Sequence, residues 1–374
     1  MEKLLPEVCK IQYGYAFDSA KFSTNTGVPL IRIRDVVRGF SDTYTTEECN
    51  KEYIVDDGDM LIGMDGEFNI ARWKGGKAYL NQRVCRLTPT MEVDAAYLYY
   101  FMPKALKAIE DKTPFVTVKH LSAKELNKII VPIRPIEEQK KIASVLQNVD
   151  ELIEFRKQQL LKLDQLIKFR FIELFGERLE KETVKLSTLT EVITKGTTPT
   201  TLGFEFTESG VNFVKIECIT EDGKFIVPKM LHISDACNQK LKRSILQEGD
   251  VLFSIAGAIG RTAIVTKEIL PANTNQAVAI IRLQKDCGLN VKFLNQMLHS
   301  SLIEKQVNVK KAGVAQINLS LTDIGDFNIV VPPMEEQEQF AAFVEQTDKS
   351  KLAIQKSLEK LETLKKALMQ QYFG

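Results

Sequence analysis

The sequence predicts a mixed α/β fold in which a sheet-rich globular domain followed by a long helix occurs twice. The first observation is an internal repeat: Glu137-Glu138-Gln139 recurs as Glu335-Glu336-Gln337, an offset of 198 residues that holds without a gap to the Phe-Gly pairs at Gly176 and Gly374. The second is the length of 374 residues, which exceeds the usual size of one hydrophobic core. Together they predict globular domains at residues 1–134 and 177–332 and helices at residues 135–176 and 333–374.

The two globular segments share short motifs, which indicates one scaffold used twice. GVPLIRIR from Gly27 matches GVNFVKIE from Gly210, and Leu80-Asn81-Gln82 matches Thr274-Asn275-Gln276. Both segments carry short β-rich runs broken by Gly, Asp and Pro, followed by one helix and a final apolar strand. Each is therefore expected to be a mixed α/β domain.

The first long helix carries apolar residues at the spacing of a coiled coil. Pro135 precedes it, and Gly176 is expected to end it as a C′ glycine, giving about 37 residues and about 55 Å. Steps of four and three residues, or seven where one position is skipped, define a seam with a 3.5-residue period. Its members are Ile142, Leu146, Val149, Ile153, Leu160, Leu163, Ile167 and Leu174.

The second helix keeps the frame imperfectly, with Phe340, Val344, Ile354, Leu358, Leu361, Leu368 and Tyr372. Lys351 and Lys365 stand where the first helix has Ile153 and Ile167. If the two seams pack together they must run antiparallel, because the second helix ends at the position equivalent to the entrance of the next domain. This predicts a circular, pseudo-twofold arrangement in which the helices separate the two domains and set the distance between them.

The repeated Glu-Glu-Gln has two interpretations. Carboxylates in the first turn of a helix complement its dipole, which favours a role in starting the helix. A catalytic carboxylate pair is the alternative, but adjacent helical residues point about 100° apart and cannot share a substrate atom.

Composition narrows the class of protein. Fifty basic and 49 acidic residues give a net charge of +1, so any DNA function must depend on local patches. Six scattered cysteines without a CxxC pair, and three histidines, favour buried thiols in a reducing cytosol over disulfides or a metal site. No run approaches the roughly 20 apolar residues of a membrane span, and the N-terminus lacks a signal peptide's apolar core. We expect a cytoplasmic protein without metal.

Two copies of a globular domain followed by a P-x-x-E-Q helix resemble the specificity subunit of Type I restriction-modification enzymes, over the whole chain. Further motifs of that family are the stretch from Gly14 to Phe17, the stretch from Lys195 to Pro199, and two Gly-Asp turns at Gly58 and Gly249. The two Asn-Gln pairs and the Leu-Ser of KHLSAKEL and INLSLTDI complete the set. Their order, present twice with both helices, carries the resemblance.

The resemblance implies two target recognition domains, each reading one half of a bipartite, asymmetric DNA sequence, with the helices as spacers. It implies as partners two methyltransferase subunits that use S-adenosylmethionine, and motor-nuclease subunits that use ATP and Mg²⁺. This chain itself is expected to hold no cofactor. Because Arg34 aligns with Glu217, and GYAF with GTTP, the two half-sites are expected to differ.

The first domain offers a basic stretch as its main candidate for contacting DNA. RWKGGKAYLNQRVCR, residues 72–86, has five basic residues, no acidic one and the chain's one Trp. Arg and Lys neutralise phosphates, Asn and Gln pair with adenine edges, and Arg forks onto guanine. The Asn-Gln pair has a second interpretation, in which both side chains pack and hydrogen-bond inside the domain. The arginines of RIRDV are expected on one face of a strand, and that face has a second interpretation as ordinary solvated surface. The candidates are Tyr15, Phe17, Arg32, Arg34, Arg72, Lys74, Lys77, Asn81, Gln82 and Arg83.

The second domain has counterparts at the equivalent motifs and in the loop from Ser254 to Arg261. Small residues let the backbone approach DNA, although they also suit a tight β-turn. The candidates are Lys195, Thr197, Thr198, Lys215, Arg261, Asn275 and Gln276.

Two other functions compete with DNA recognition. A stand-alone DNA-modifying enzyme would need a strand-GxGxxG-helix, an Asn/Asp-Pro-Pro-Tyr/Phe loop or a phosphate loop, and the sequence has none of them. No catalytic residue is therefore assigned. A coiled-coil scaffold without direct DNA recognition is the second alternative, and it predicts no DNA footprint even with a methyltransferase partner present.

Overall fold

The computed structural model describes residues 1–113, 119–311 and 318–374, which divide into two compact units. The first unit comprises Met1–Gln158 and Gln355–Gly374, and the second comprises Gln159–Ile354. Each unit thus combines one globular segment with parts of both long helices. The four segments predicted from the sequence divide the chain differently, and their boundaries stay predictions.

The first unit contains strands of two to six residues and helices α1 to α4, together with part of α5. The strands are β1 Glu2–Leu4, β2 Cys9–Tyr13, β3 Phe22–Ser23, β4 Val28–Ile31, β5 Tyr44–Thr45, β6 Ile54–Val55, β7 Met60–Gly63, β8 Asn69–Arg72, β9 Ala78–Leu80, β10 Val84–Pro89 and β11 Ile130–Pro132. The helices are α1 Leu5–Val8, α2 Ile33–Arg38, α3 Ala95–Lys112, α4 Ala123–Asn127 and α5 Ile136–Lys181, which continues into the second unit.

The strands of this unit form two main sheets, ordered β2-β10-β7-β8 and β3-β5-β4-β9-β6, and β1 pairs with β11. Among these strands, neighbours pair antiparallel except β4 and β9, which run parallel. Alternation along β10 buries Cys85 and Leu87 against α3, where Tyr97 and Leu98 are fully buried. Asp94 caps α3, because its carboxylate accepts from the N–H groups of Ala96 and Tyr97 at 2.9 Å.

The second unit repeats this plan. Its strands are β12 Thr183–Lys185, β13 Thr190–Lys195, β14 Val211–Val214, β15 Leu231–Ile233, β16 Val251–Ser254, β17 Thr262–Ile264, β18 Ala272–Thr274, β19 Val278–Leu283 and β20 Asn328–Val330. Its helices are α6 Asp235–Lys240, α7 Val291–Leu298, α8 Ser301–Lys311 and α9 Leu321–Gly325, with α10 Met334–Phe373 running from this unit into the first.

The sheet order β13-β19-β16-β17 corresponds to β2-β10-β7-β8, and the parallel pair β14 and β18 corresponds to β4 and β9. The predicted shared scaffold is therefore present in both units. The sequence predicted one helix near the end of the second domain, but the structure has two, α7 and α8. The helix is interrupted because the chain turns at His299 and the buried Ser300.

Within the first unit, α5 and α10 pack together and run antiparallel. Asp150 of α5 pairs with Lys365 of α10 at 2.6 Å, while Ile142, two turns earlier on α5, shares a core with Phe373. Phe373 also packs on α3, with its ring 5.2 Å from that of Tyr97 and 5.9 Å from that of Phe101. The last residues of α10 therefore complete the core of the N-terminal domain.

Within the second unit, the pairing is again antiparallel. Asp164 of α5 lies 2.7 Å from Lys351 of α10, and Arg178 lies 2.6 Å from Glu336. Lys351 and Lys365, which interrupt the apolar seam of α10, thus each face an aspartate of α5 in their own unit. Two sheet-rich domains with two long helices packed together confirm the predicted fold class.

Two details of α5 correct the sequence prediction. Gly176 does not end the helix, which continues to Lys181, because Leu179 packs on the core and Arg178 forms its ion pair there. Leu174 was placed in the seam but is 37% exposed, whereas Phe171 and Phe175 are buried. A helix with 3.6 residues per turn drifts away from a strict 3.5-residue seam, so buried positions follow Ile167 in steps of four.

Among the residues described, none of the helices is both long enough and apolar enough to cross a membrane.

Candidate nucleic-acid interface

In the first domain, the structure brings four candidate residues to one edge of the parallel strand pair. Ile31 of β4 lies opposite Leu80 of β9, and because parallel strands end at the same edge, Arg32 and Asn81 follow side by side. The turn after β2 joins them, since the N–H of Tyr15 donates to Leu80 O at 2.9 Å and the N–H of Gln82 to Tyr15 O at 2.8 Å. We name Tyr15, Arg32, Asn81 and Gln82 the first strand-end cluster.

The second domain forms the equivalent arrangement with different side chains. Val214 of β14 lies opposite Thr274 of β18, so Lys215 and Asn275 follow at one edge. The Thr198 hydroxyl donates to Gln276 Oε1 at 2.5 Å, and the N–H of Gly196 donates to Asn275 O at 3.1 Å. The second strand-end cluster consists of Thr197, Thr198, Lys215, Asn275 and Gln276.

A glycine makes the close approach possible in each cluster. A Cβ atom on Gly14 would lie 2.0 Å from the carbonyl oxygen of Asn81, and one on Gly196 would lie 1.7 Å from that of Thr274. Any side chain there would displace the backbone of the Asn-Gln segment. The glycine motifs and the Asn-Gln motifs, far apart in sequence, are thus two halves of one contact.

The two amides of each Asn-Gln pair have different surroundings. Asn81 is 7% exposed and its Oδ1 accepts from the N–H of Gln82 at 2.9 Å, while Asn275 Oδ1 accepts from the N–H of Ala277 at 3.1 Å. Gln82 and Gln276 are exposed. The asparagines therefore shape the turn, as the packing interpretation holds, and the glutamines present amides at the surface.

The two aromatic candidates, Phe17 and Tyr15, differ in exposure. Phe17 is 5% exposed and stacks on Tyr79 with ring centroids 5.4 Å apart, so its ring packs inside the domain. Tyr15 is 39% exposed and contacts the ring of Tyr53 at 5.5 Å. Tyr15 is accordingly the ring available at the surface.

The RIRDV segment corrects a prediction. It was expected to be a strand with Arg32 and Arg34 on one face, but β4 ends at Ile31 and α2 spans Ile33–Arg38. Asp35 favours the helix, because its carboxylate accepts from the Arg32 N–H at 2.9 Å in the first turn.

Arg34 is largely neutralised by neighbouring carboxylates. Its guanidinium lies 2.7 Å from Asp42, and Arg38 contacts both Asp42 and the buried Asp35. Hydrogen bonds from Arg38 and Arg34 lower the pKa of Asp42, and the bond to Asp42 raises the pKa of Arg34. Arg34 is therefore a weaker phosphate candidate than Arg32, whose side chain is exposed.

The basic stretch 72–86 does not form one surface. Arg72 lies over the ring of Tyr99 on α3, 5.4 Å from its centroid. Lys74 and Lys77 are exposed on the turn between β8 and β9, which the buried Trp73 fixes by donating to Gly76 O at 2.6 Å. Arg83 has a φ of 70° and contacts His120 Nε2 at 2.9 Å, beside Asp65.

The remaining basic candidates of the second domain have partners of their own. Lys195 ends β13 and is half-buried, and Lys215 Nζ lies 5.0 Å from the ring centroid of Phe206. Arg261 donates to Ile219 O at 3.2 Å and closes a loop in which its N–H donates to the buried Ser254 hydroxyl at 2.9 Å. This loop is held by the protein's own hydrogen bonds.

In each domain, the aspartate of the Gly-Asp turn forms an ion pair with an arginine of the same domain. Asp59 contacts Arg86 at 2.9 Å, and Asp250, which is 1% exposed, receives two 2.7 Å bonds from Arg282. Each arginine comes from the neighbouring strand, β10 or β19, and also donates to backbone carbonyls. Arg86 is therefore a structural member of the basic stretch.

Sequence reasoning missed the function of the glutamine in Glu-Glu-Gln. Gln139 and Gln337 are fully buried, while Glu137 and Glu335 are exposed. Gln337 accepts from the N–H of Asn290 at 2.8 Å and donates to the carbonyl oxygens of Gly288 and Pro332 at 2.8 and 2.7 Å. Helix-start chemistry is thus the right interpretation, and the glutamine ties each long helix to the cap of a domain helix.

All six cysteines, each within the described residues, are free thiols, and four are buried. Residues 1–113, 119–311 and 318–374 bring together no group of three or more His, Cys, Asp and Glu side chains that could hold a metal ion.

Comparison with known proteins links this geometry to a family. The family model described as the Type I restriction modification DNA specificity domain matches residues 1–165 and 179–366. The chain is 32% identical over 372 residues to the Type I restriction enzyme EcoBI specificity subunit of Escherichia coli, covering 91% of this chain and 78% of that protein. It is 26% identical over 340 residues to the MjaVIII specificity subunit of Methanocaldococcus jannaschii, covering 86% and 79%.

Solved structures show the same fold. The S subunit of a Type I restriction-modification system from M. genitalium superposes with a TM-score of 0.56 at 15% identity, covering 99% of this chain and 94% of that one. A chain from a study of complex assembly and conformational transition in the type I R-M system superposes with a TM-score of 0.61 at 17% identity, covering 100% and 97%.

Proposed function

This chain belongs to the family of Type I restriction-modification specificity subunits, the non-catalytic DNA-reading components of these systems, and we propose that its two domains each read one half of a bipartite, asymmetric target. One observation carries the proposal. Both domains hold a strand-end cluster on the same backbone frame, yet the exposed side chains of the two clusters differ.

The chemistry of the clusters suits base edges and phosphates. In the first cluster, Arg32 and Gln82 supply a guanidinium and an amide beside the half-exposed ring of Tyr15. In the second, Lys215 supplies an ammonium, and the Thr198 hydroxyl fixes the orientation of the Gln276 amide. Amides read adenine and guanidinium groups read guanine, whereas lysine favours phosphate or guanine. Different groups on one frame therefore support two unlike half-sites.

We further propose that the long helices set the unread gap between the half-sites. Helix α5 runs without interruption from Ile136 to Lys181 and contributes to the cores of both units. A continuous helix transmits a fixed rise of about 1.5 Å per residue. The number of residues between the two globular segments would thereby determine the number of base pairs between the half-sites.

Partner subunits would supply the chemistry. We propose that two methyltransferase subunits carrying S-adenosylmethionine, and motor-nuclease subunits using ATP and Mg²⁺, assemble on this chain. Exposed apolar side chains on α5 support a docking role: Leu161 and Phe169 are 63% and 67% exposed in the second unit, and Phe155 is 54% exposed in the first. Large exposed apolar groups on one helix are typical of interaction surfaces.

Replacing one domain tests the proposal. Residues 177–332 are exchanged for the second domain of another specificity subunit, and methylated adenines are mapped in cells with the native gene, the hybrid and no gene. We expect one half-site to change and the other to persist. A change in both half-sites, or an identical map without the gene, would refute it.

A further inference from the structure

A short basic turn lies beside the second strand-end cluster, and it has no acidic partner in the part of the chain that the structure describes. Residues 236–247, ACNQKLKRSILQ, include three basic residues and no acidic one. Lys240 ends α6, and Lys242 and Arg243 begin the 3₁₀ turn that follows it. All three side chains are exposed, and none lies within ion-pair distance of a carboxylate among the described residues.

A buried polar network holds this turn in place. Asn273 is fully buried on β18, and its amide donates to Asn238 Oδ1 at 2.8 Å and to Leu241 O at 3.3 Å. The hydroxyl of the buried Ser244 donates to Asn273 Oδ1 at 2.7 Å. Buried polar groups with all their partners fix one arrangement of the backbone. The turn is therefore anchored to the strand that leads directly into Asn275 and Gln276.

A second contact ties the turn to the other side of the cluster. Arg243 Nη2 donates to Lys195 O at 3.5 Å, at the end of β13, just before Gly196 and Thr197. The basic turn thus adjoins two of the three chain segments that form the second strand-end cluster.

The corresponding turn of the first domain carries a different set of side chains. Tyr79 occupies the position of Asn273 and stacks on Phe17, so aromatic packing takes the place of the polar network. The corresponding 3₁₀ turn, Lys51–Tyr53, contains Glu52. Arg34 and Arg38 of α2 are paired with Asp42 and Asp35. The corresponding turn of the first domain therefore has one basic and one acidic residue, whereas the turn of the second domain has three basic residues and no acidic one. The exposed Lys74 and Lys77 of the first domain lie on a different turn, between β8 and β9.

We propose that Lys240, Lys242 and Arg243 bind the phosphate backbone of DNA next to the half-site read by the second domain. This inference rests on the proposed function and deepens it. Ammonium and guanidinium groups without acidic partners neutralise phosphates and release counterions, which adds affinity regardless of base sequence. The turn anchors the second domain on DNA, while the exposed Gln276 amide and the half-buried polar groups beside it select the bases.

The experiment measures DNA binding by the complex with the methyltransferase partner over a series of salt concentrations. Two duplexes of equal length are used, one with the mapped target and one without it. The variants are Lys240→Gln, Lys242→Gln, Arg243→Gln and the triple change. The matched control is Lys285→Gln, an exposed lysine without an acidic partner among the described residues, located past the opposite end of β19 from Asn275.

We expect each single change to lower the slope of log K against log salt by about 0.9, and the triple change by about 2 to 3. The affinities for both duplexes should fall by the same factor, so the preference for the target is unchanged. Lys285→Gln should leave the slope as in the native complex. The single changes carry the test if the triple variant does not fold.

Three outcomes would overturn the inference: an unchanged salt slope in the folded variants, an altered target sequence without a slope change, or weakened partner assembly alone. Failure of the proposed function itself looks different, because the native complex would then not distinguish the two duplexes.

Discussion

The side-chain oxygen of Gln139 accepts a 2.9 Å hydrogen bond from the backbone N–H of Asp94, joining the start of α5 to the residue that caps α3. The Gln139 amide also donates to Glu92 O and Arg134 O at 3.1 and 2.8 Å. One buried side chain therefore satisfies three backbone groups from two segments.

Replacing Gln139 by Ala should lower the free energy of unfolding by about 3 kcal/mol, because three buried backbone groups would lose their partner. Gln158→Ala, at an exposed position on the same helix, should change it by less than about 0.5 kcal/mol. Denaturant unfolding measures both. Equal losses for the two variants would contradict the role assigned to Gln139.

The two Gly-Asp turns should differ in sensitivity. Asp250→Asn leaves Arg282 as an uncompensated charge at a site where the aspartate is 1% exposed, and should cost about 3 kcal/mol. Asp59→Asn should cost about 1 kcal/mol, because the Asp59 side chain is 30% exposed and water screens Arg86. Chemical denaturation gives both values, and a larger loss for Asp59→Asn would refute this ranking.

Glycine-to-alanine changes should act in opposite directions at Gly176 and Gly14. Gly176 lies inside α5, where a Cβ atom would make an ordinary 3.5 Å contact with Ile172, so Ala should stabilise the protein by about 0.5 to 1 kcal/mol. Ala at Gly14 would push a Cβ atom into the carbonyl of Asn81 and should cost about 2 to 3 kcal/mol.

Thermal unfolding distinguishes these two outcomes. A gain from Gly14→Ala would mean that the first strand-end cluster is not closely packed. A loss from Gly176→Ala would mean that the helix needs a glycine there.

Two buried thiols should resist alkaline chemistry. Burial raises the pKa of Cys9 and of Cys85 to about 12 from an ordinary value of 9.0, so both stay protonated in the folded protein. Their contribution to stability is complete below pH 9 and is lost as the pH rises toward 12. At pH 8 both should react with a thiol reagent only after unfolding, whereas the half-buried Cys287 should react in the folded state. Peptide mass spectrometry identifies the labelled sites, and fast labelling of Cys85 would contradict this.

Inserting one heptad after Leu160 and another after Leu358 should lengthen the unread gap. Both antiparallel ion pairs, Asp150 with Lys365 and Asp164 with Lys351, keep their register because the insertions fall between them on both helices. Seven residues add about 10 Å, or roughly 3 base pairs at 3.4 Å each, to the helix.

The bases within each half-site should stay the same, and mapping methylated adenines in cells gives the gap. Lengthening the gap by three base pairs also rotates the second groove by about 100°, which a stiff pair of helices has to follow. A shorter insertion that keeps the helix frame and adds one base pair to the gap is therefore the companion variant. An active variant that still methylates the original gap would show that the helices do not set it.

Most of the structural features that could be predicted from the sequence follow from its internal repeat. Apolar periodicity and the recurring Glu-Glu-Gln located both helices, and paired motifs indicated two copies of one scaffold. The helical RIRDV segment escaped prediction because a carboxylate, Asp35, caps the turn where alternation suggested a strand. The clusters themselves depend on strand order: only the parallel pairing of β4 with β9 places Arg32 next to Asn81, and no local pattern reveals it.

The ring of Phe373 against Tyr97 has a consequence for the order in which the chain is made. Residues 159–354 are contiguous, so the second unit has all its parts once Ile354 leaves the ribosome. The N-terminal unit must wait for residues 355–374, although its first 158 residues are translated earliest. A chain cut short after Ile354 should therefore contain every part of the second unit, while its N-terminal unit lacks the residues that cover one apolar face, and exposed apolar surface of this kind is what chaperones bind.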